Sequence, residues 1–334
     1  MLNYFKYYLY LSTLLMGTMM AISSSSWFTS WLGLEINLMS LIPILINKIN
    51  PYTTETAIKY FLTQAMASVL IIFSSIMMFS NNTMNSLTLI SMLILLALSI
   101  KMGAAPFHFW LPQIIQTAQW PQIILILTWQ KIAPMMLLMF TKSNLSKIII
   151  YFCCIVGVIG AINQTSIKKI LAYSSILHTG WMISAAMSSE NIWSFYFILY
   201  STISISLMTP MASLNLSSVK ELFFLQMNQL SSYLLLLSLL SLAGIPPLLG
   251  FAMKMITLIS LMSVMLDKLI IVLLIMSSLI SLYYYLRIMY SSMLATPKFN
   301  KINKINFMKT PINSFVLTLS FLGNLMIPSM LMFT

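Results

Sequence analysis

The feature that most constrains this chain is a run of eleven apolar stretches, near 2–21, 25–46, 57–79, 86–118, 121–140, 145–163, 168–187, 191–213, 229–266, 268–293 and 312–333, separated by short polar or turn-bearing joints. A bilayer core about 30 Å thick takes roughly 20 apolar residues per helix, and lipid offers the backbone no partners outside its own segment. The chain is therefore expected to be all-α: a polytopic membrane protein of about eleven transmembrane helices. The fourth and ninth stretches would each be on the order of 50 Å long as straight helices, which exceeds the bilayer. Both carry a breaker, Gly103-Ala104-Ala105-Pro106 in the fourth and Gly244-Ile245-Pro246-Pro247 in the ninth. There proline removes a backbone donor and clashes with the preceding turn.

The two breaks take matching places in two blocks of five helices, with the eleventh left over. Paired interrupted helices point to an inverted-repeat transporter and its ion site, although a packing kink is the plainer alternative. An odd number of helices per block inverts the second relative to the first. The expected organisation is a first repeat over 1–143, a second inverted repeat over 144–294, and a lysine-rich loop with a final helix over 295–334.

Composition closes other routes. The chain is 60% hydrophobic and 7% charged, against about 25% charged in a soluble protein. Its net charge of +12 is spread over mostly single lysines between apolar runs, which is no nucleic-acid-binding face. Cys153 and Cys154 are adjacent in an apolar run, so they offer neither a disulfide framework nor metal-ligand spacing. Walker, Rossmann and Ser/His/Asp signatures are missing from the sequence. Thirty methionines and one arginine suit an AT-rich gene read with an extra Met codon, as in animal mitochondria. The opening MLNYFKYYLYLSTLLMGTMM has neither a signal-peptide cleavage site nor transit-peptide character, so its apolar run is expected to stay as a membrane span.

With eleven spans, Lys6, Lys48, Lys59, Lys168, Lys169, Lys220, Lys298, Lys301, Lys304 and Lys309 collect on the N-terminal side, against Lys142, Lys147 and Lys268 on the other. Ten against three is a positive-inside bias that places the N-terminus inside and the C-terminus outside.

Four basic residues, Lys101, Lys131, Lys254 and Arg287, and one acid, Glu35, remain within helices. A charge near the bilayer centre costs ~2.5–3.5 kcal/mol even on the lenient insertion scale, so it is kept for a pathway, a pair or a lock. Arg287 lies near a helix end and can snorkel to the interface. Glu35 is mid-span in the second helix with no basic neighbour one turn away. Lys101 lies one turn before the first break, Lys131 about ten residues into the fifth helix, and Lys254 about two turns past the second break. Each admits a register-fixing ion pair, but together they read better as a chain of protonatable sites. Burial disfavours the charged form of an amine and a carboxylate nearby favours it, so a Glu35 carboxylate moving relative to Lys101 would load or discharge that lysine. His108 and His178 either bridge waters along such a path or are simply bonded to a hydroxyl or carbonyl. The methionines and the aromatic stripes, including Tyr283, Tyr284 and Tyr285, read as packing and interface residues.

The segments WLGLEINLMSLIP (31–43), AIKYFLTQAMAS (57–68), KMGAAPFHFWLP (101–112), LTWQKIAP (127–134), LAYSSILHTGWM (171–182) and GIPPLLGF (244–251) resemble, in order and spacing, the mitochondrially encoded subunit 2 family of NADH:ubiquinone oxidoreductase, respiratory complex I, in insects or similar animals. That family is similar to the multi-subunit cation/proton antiporters, and animal members lack three N-terminal helices of the bacterial ones. The resemblance implies a proton-pumping, antiporter-like subunit of the membrane arm in the mitochondrial inner membrane, with its N-terminus in the matrix and its C-terminus in the intermembrane space. It implies no cofactor on this chain, with NADH, FMN, Fe–S clusters and ubiquinone handled by other subunits. The implied partners are other membrane-arm subunits, another antiporter-like subunit among them, and membrane lipids. Residue by residue, Glu35, Lys101, Lys131, Lys254 and His178 fall on the family's proton-translocating positions. One departure is Ala252-Met253-Lys254-Met255, where family members often have proline followed by Lys-Trp. A stand-alone cation/proton antiporter and a structural membrane subunit are the competing readings.

Overall fold

Apart from an isolated bridge between Ser166 and Ser218, every regular element among the described residues is helical. The computed structural model describes residues 2–46, 50–80, 84–141, 143, 145–219, 221, 229–246, 248–263 and 268–293. The expected eleventh span, Pro247, Lys48, Lys142, Lys220, Lys298, Lys301, Lys304 and Lys309 lie outside them. The chain divides into two units, Met1–Cys153 and Cys154–Thr334.

The first unit contains α1 (Leu2–Ile22), α2 (Trp27–Leu45), α3 (Pro51–Ser80), α4 (Met84–Met102), α5 (Trp110–Thr117), α6 (Trp120–Leu127) and α7 (Ile132–Met139). The boundary falls within α8 (Leu145–Ile162), and the second unit continues with α9 (Ile167–Ser188), α10 (Glu190–Ser213), α11 (Gln229–Ala243), α12 (Leu249–Ser263) and α13 (Lys268–Met293). Among the described residues, six segments are long and apolar enough to cross a bilayer: Trp27–Leu45, Pro51–Met78, Trp120–Met139, Leu145–Ile162, Glu190–Ser213 and Lys268–Tyr290. Two shorter apolar helices, Thr88–Met102 and Leu249–Ser263, flank the breaks. In α9 the polar residues Ser174, Ser175, His178, Thr179 and Ser184 are buried inside the protein, so its low hydropathy faces protein and not lipid.

Burial is arranged for an apolar solvent. Phe5, Met66, Val69, Ile159 and Leu269 are exposed, while Ser74, Thr56, Ser206 and Ser241 are buried. The serine and threonine hydroxyls return to carbonyls three or four residues back, as Ser74 Oγ does to the Ile71 carbonyl at 2.8 Å, so these helices carry hydroxyls without orphaning them. Close crossings use small residues: a Cβ on Gly33 would lie 2.6 Å from the Ala21 nitrogen, and one on Gly17 2.9 Å from the Asn37 nitrogen. The α1–α2 backbones therefore pack at a distance that only glycine permits.

Both expected breaks are present and end their helices in the same way. Gly103, with φ 68°, donates its N–H to the Ile100 carbonyl at 3.1 Å, and Ala104 donates to Ser99 at 2.9 Å. Gly244, with φ 85°, donates to Ser241 at 3.1 Å, and Ile245 donates to Leu240 at 3.4 Å. These are paired six-to-one and five-to-two bonds around a left-handed glycine, a Schellman stop, followed by Pro106 and Pro246.

The fifth expected span, 121–140, is not one continuous helix. It divides into α6, a 3-10 turn at Trp129–Lys131, and α7. Pro134 explains this: it has no N–H for the Gln130 carbonyl, and its ring crowds that carbonyl. The backbone tightens instead, with Lys131 donating to the Thr128 carbonyl at 3.2 Å. The third helix begins at Pro51, six residues before the expected start at 57, because Pro51 suits a first helical turn, where its missing donor goes unused.

Candidate functional site

In the first unit, the Schellman stop leaves Lys101 in the last turn of α4, where the helix dipole and uncommitted carbonyls favour a cation. Lys101 is 5% exposed. Half-buried Glu35 on α2 lies two residues before Asn37 of the cavity that Lys101 lines, and forms no direct ion pair with that lysine. Among the described residues the ion pair is Lys59 with Glu55, an exposed pair one turn apart on α3.

Lys101 lines a small cavity with Leu34, Asn37, Leu38, Tyr60, Gln64, Gln130 and Pro134. Its polar wall is cross-braced. Asn37 Nδ2 donates to Gln130 Oε1 and Gln130 Nε2 donates to Asn37 Oδ1, both at 3.0 Å. Tyr60 donates to Gln130 Oε1 at 3.4 Å, and Gln64 Nε2 donates to the Lys101 carbonyl at 3.4 Å. Because Asn37 lies half a turn past Glu35 and Gln130 immediately precedes Lys131, the cavity joins the segments that hold the acid and both lysines.

Lys131 is 1% exposed at the end of the 3-10 turn. Nearby, the Ala105 N–H of the first break donates to Cys153 Sγ at 3.3 Å. His108 sits in the break loop with Nδ1 3.1 Å from the Pro106 carbonyl and its ring 4.3 Å from that of Phe109. That places His108 against its own loop.

In the second unit, Lys254 on α12 reaches back to the end of α11, and its Nζ donates to the Ala243 carbonyl at 2.8 Å. It is 5% exposed and lies 6.0 Å from the Trp181 ring centre. Gly244 makes room for it: a Cβ there would stand 2.9 Å from Nζ. A lysine therefore sits at a helix C-terminus beside each break.

His178 on α9 is buried with Nδ1 2.9 Å from the Tyr196 hydroxyl, and its ring lies 5.0 Å from that of Tyr200. Tyr284 and Tyr285 of α13 are also fully buried, whereas Tyr283 is exposed. Of the three tyrosines expected to serve in packing and interface, two face inward, and the helical period of 3.6 was the signal that separates them. Arg287 donates to the Gln164 carbonyl at 3.1 Å, which anchors it at the turn before α9. Among the described residues no three His, Cys, Asp or Glu side chains gather as a metal site would require.

Comparison with known proteins places this arrangement. Residues 24–281 match the family model described as NADH:quinone oxidoreductase/Mrp antiporter, TM. The chain is 39% identical over 322 residues to NADH-ubiquinone oxidoreductase chain 2 of Locusta migratoria, covering 93% of this chain and 94% of that one. It is also 39% identical over 331 residues to the Anopheles gambiae chain 2, covering 97% of each. Its fold is similar to that of a chain in respiratory complex I from Thermus thermophilus with bound aureothin, with TM-score 0.87 and 23% identity, covering 97% of this chain and 78% of that chain. It is also similar to a chain of the Mrp complex from Dietzia sp. DQ12-45-1b, with TM-score 0.76 and 15% identity, covering 88% and 64%.

Proposed function

Because the chain belongs to the NADH:quinone oxidoreductase/Mrp antiporter family, as a relative of the chain 2 subunits, we propose that it is a membrane-arm subunit of respiratory complex I that translocates protons across the mitochondrial inner membrane. NADH oxidation and ubiquinone reduction belong to other subunits, which hold the FMN and Fe–S clusters; this chain moves protons and forms no bond to a redox group. The observation that carries the reading is a buried lysine, Lys101, in the last turn before a helix break, lining a polar cavity that extends to Gln130, the residue before Lys131.

The chemistry follows from position. Lys101 keeps its proton while the Glu35 charge is felt, and releases it when that charge is withdrawn or neutralised. The cavity between Asn37, Tyr60 and Gln130 is the route toward Lys131, and Lys254 with His178 forms the corresponding pair of sites in the second unit. His108 is the remaining titratable group in the first break. Moving one elementary charge against 100 mV costs ~2.3 kcal/mol, so the push comes from electron transfer elsewhere in the complex.

The matched Schellman stops support two inverted five-helix repeats over 1–143 and 144–294, with an eleventh span in 295–334. The lysine distribution supports a matrix N-terminus and an intermembrane-space C-terminus. Partners are the other membrane-arm subunits, another antiporter-like subunit among them, and lipid; no nucleic acid is involved.

The test is Lys131→Met or Glu35→Gln in the intact complex. A lowered proton-to-electron ratio with assembly retained is expected, whereas an unchanged ratio rejects the pumping role and leaves a structural subunit. The likeness to the Mrp complex keeps a stand-alone cation/proton antiporter as a second reading. Native electrophoresis separates the two: comigration with a redox complex is expected, and migration alone selects the antiporter.

A further inference from the structure

The second unit buries a group of hydroxyls around His178. On α9, Ser174, His178 and Trp181 are three or four residues apart and share a face. On α10, Tyr196 and Tyr200 are one turn apart, and Tyr284 and Tyr285 come from α13; all four phenols are buried. The Tyr196 and Tyr200 rings lie 6.1 and 5.0 Å from that of His178, and Tyr285 on α13 approaches Ser174, one turn before His178 on α9. The Tyr284 and Tyr285 rings lie 4.6 Å apart, and their hydroxyls approach each other and the Ser281 and Ser174 side chains. Phenylalanine would fill the same space without the cost of burying a polar group, so two fully buried hydroxyls side by side in an apolar interior point to a use for the oxygens.

Their order along the helices gives a direction. Arg287, two residues after Tyr285, bonds to Gln164 just before α9 begins. Ser174 lies one turn nearer that end of α9 than His178. Because α10 returns antiparallel after the turn at Ser189, Tyr200 is one turn nearer that end than Tyr196. The sequence inward is therefore Arg287 and Gln164, then Tyr285 with Ser174 and Tyr284, then Tyr200, then Tyr196 and His178, with Lys254 beyond Trp181.

We propose that Tyr285, Tyr200 and Tyr196 form a hydroxyl file that delivers protons from the Gln164–Arg287 end of the second unit to His178. An incoming proton, brought by water, bonds to a lone pair of the Tyr285 oxygen as the phenol's own O–H proton leaves to the next oxygen. Tyr200 repeats the exchange, directly or through water. Tyr196 passes its proton across the 2.9 Å contact to His178 Nδ1, in the tautomer where Nδ1 accepts, and Nε2–H then releases one onward. Every phenol is neutral before and after and no electron moves; the file resets when the hydroxyls rotate and the His178 ring exchanges, through water, back to the tautomer in which Nδ1 accepts.

This inference rests on the pumping role proposed above, and the experiment separates the two. Complex I carrying Tyr285→Phe, Tyr196→Phe, Tyr283→Phe or Lys131→Met is reconstituted in lipid vesicles. Protons translocated per electron are measured in H2O and D2O, with assembly checked by native electrophoresis. Tyr285→Phe and Tyr196→Phe are expected to lower the ratio as far as Lys131→Met does and to increase the H2O/D2O rate ratio of pumping, since the interrupted hop becomes limiting. Exposed Tyr283→Phe is expected to leave both unchanged. A full ratio in Tyr285→Phe and Tyr196→Phe beside a lowered one in Lys131→Met overturns the file alone; a full ratio in all three overturns the pumping role as well. Loss of pumping with an unchanged isotope ratio marks a packing defect and also overturns the file. Should Tyr285→Phe fail to assemble, Tyr196→Phe decides by the same outcomes.

Discussion

Asn37 and Gln130, 93 residues apart in sequence, exchange two hydrogen bonds of 3.0 Å across the cavity beside Lys101. A reciprocal amide pair satisfies both side chains only while both are present. Gln130→Leu strands the Asn37 amide, which costs about 1–3 kcal/mol. The Asn37→Leu/Gln130→Leu double variant is expected to be less destabilised than the sum of the singles, with a coupling of about 0.5–3 kcal/mol. Thermal inactivation of the purified complex measures it, and additive losses would show that the pair is not energetically linked.

Pro134 holds Lys131 in its 3-10 turn, so helix regularity and proton transfer are expected to oppose each other there. Pro134→Ala gives the Gln130 carbonyl an N–H partner and removes a residue that costs about 3 kcal/mol in a helix interior. Stability is expected to hold or rise while the proton-to-electron ratio falls, because the Lys131 side chain is re-aimed. An unchanged ratio would mean that the turn is only a packing accommodation.

What the sequence made legible follows the same division. The breaks at Gly103 and Gly244 were readable because glycine and proline both lie at the break. The Lys131 turn was hidden because proline acts on the carbonyl four residues before it, so a break at 128–131 has its cause at 134. Lys101 and Lys254 were identifiable as charges in apolar runs, but the Lys254–Ala243 bond depends on how α12 folds back on α11. The Asn37–Gln130 pair and the inward turn of Tyr284 and Tyr285 depend on which helix faces meet, which one sequence does not state.

Gly244 and Gly250 separate two ways of damaging the second break. A Cβ at residue 250 would stand 1.5 Å from the Ser241 carbonyl oxygen, and backbone cannot yield that far, so Gly250→Ala is expected to prevent assembly. At residue 244 the near atoms belong to the flexible Lys254 side chain. Gly244→Ala is therefore expected to assemble at a cost of about 1–2 kcal/mol for the left-handed backbone, while displacing the amine from Ala243. Pumping in assembled Gly244→Ala complex should fall. Full pumping would show that the Lys254–Ala243 contact is dispensable.

Glu221 gives a pH-dependent joint outside the spanning helices. Its carboxylate accepts from the Ser217 N–H at 2.7 Å, the Ser217 hydroxyl at 2.8 Å and the Ser218 hydroxyl at 2.9 Å. The same segment clasps the turn before α9: Ile167 donates to the Ser217 carbonyl and Val219 to the Thr165 carbonyl, both at 3.0 Å. The Ser217 N–H bond, with the hydroxyl bonds behind it, holds the Glu221 carboxyl below its ordinary 4.5 despite a small opposing effect of burial. A carboxyl lowered by folding contributes stability that is fully present above the unfolded value and is lost as pH falls through the folded one. Amide exchange at Ser217, Val219 and Ile167 is thus expected to be slow at neutral pH and to lose protection as pH falls below 4.5. Glu221→Gln should remove that acid dependence and speed exchange at neutral pH. Equal neutral-pH protection in the two proteins would mean that the carboxylate does not hold the joint.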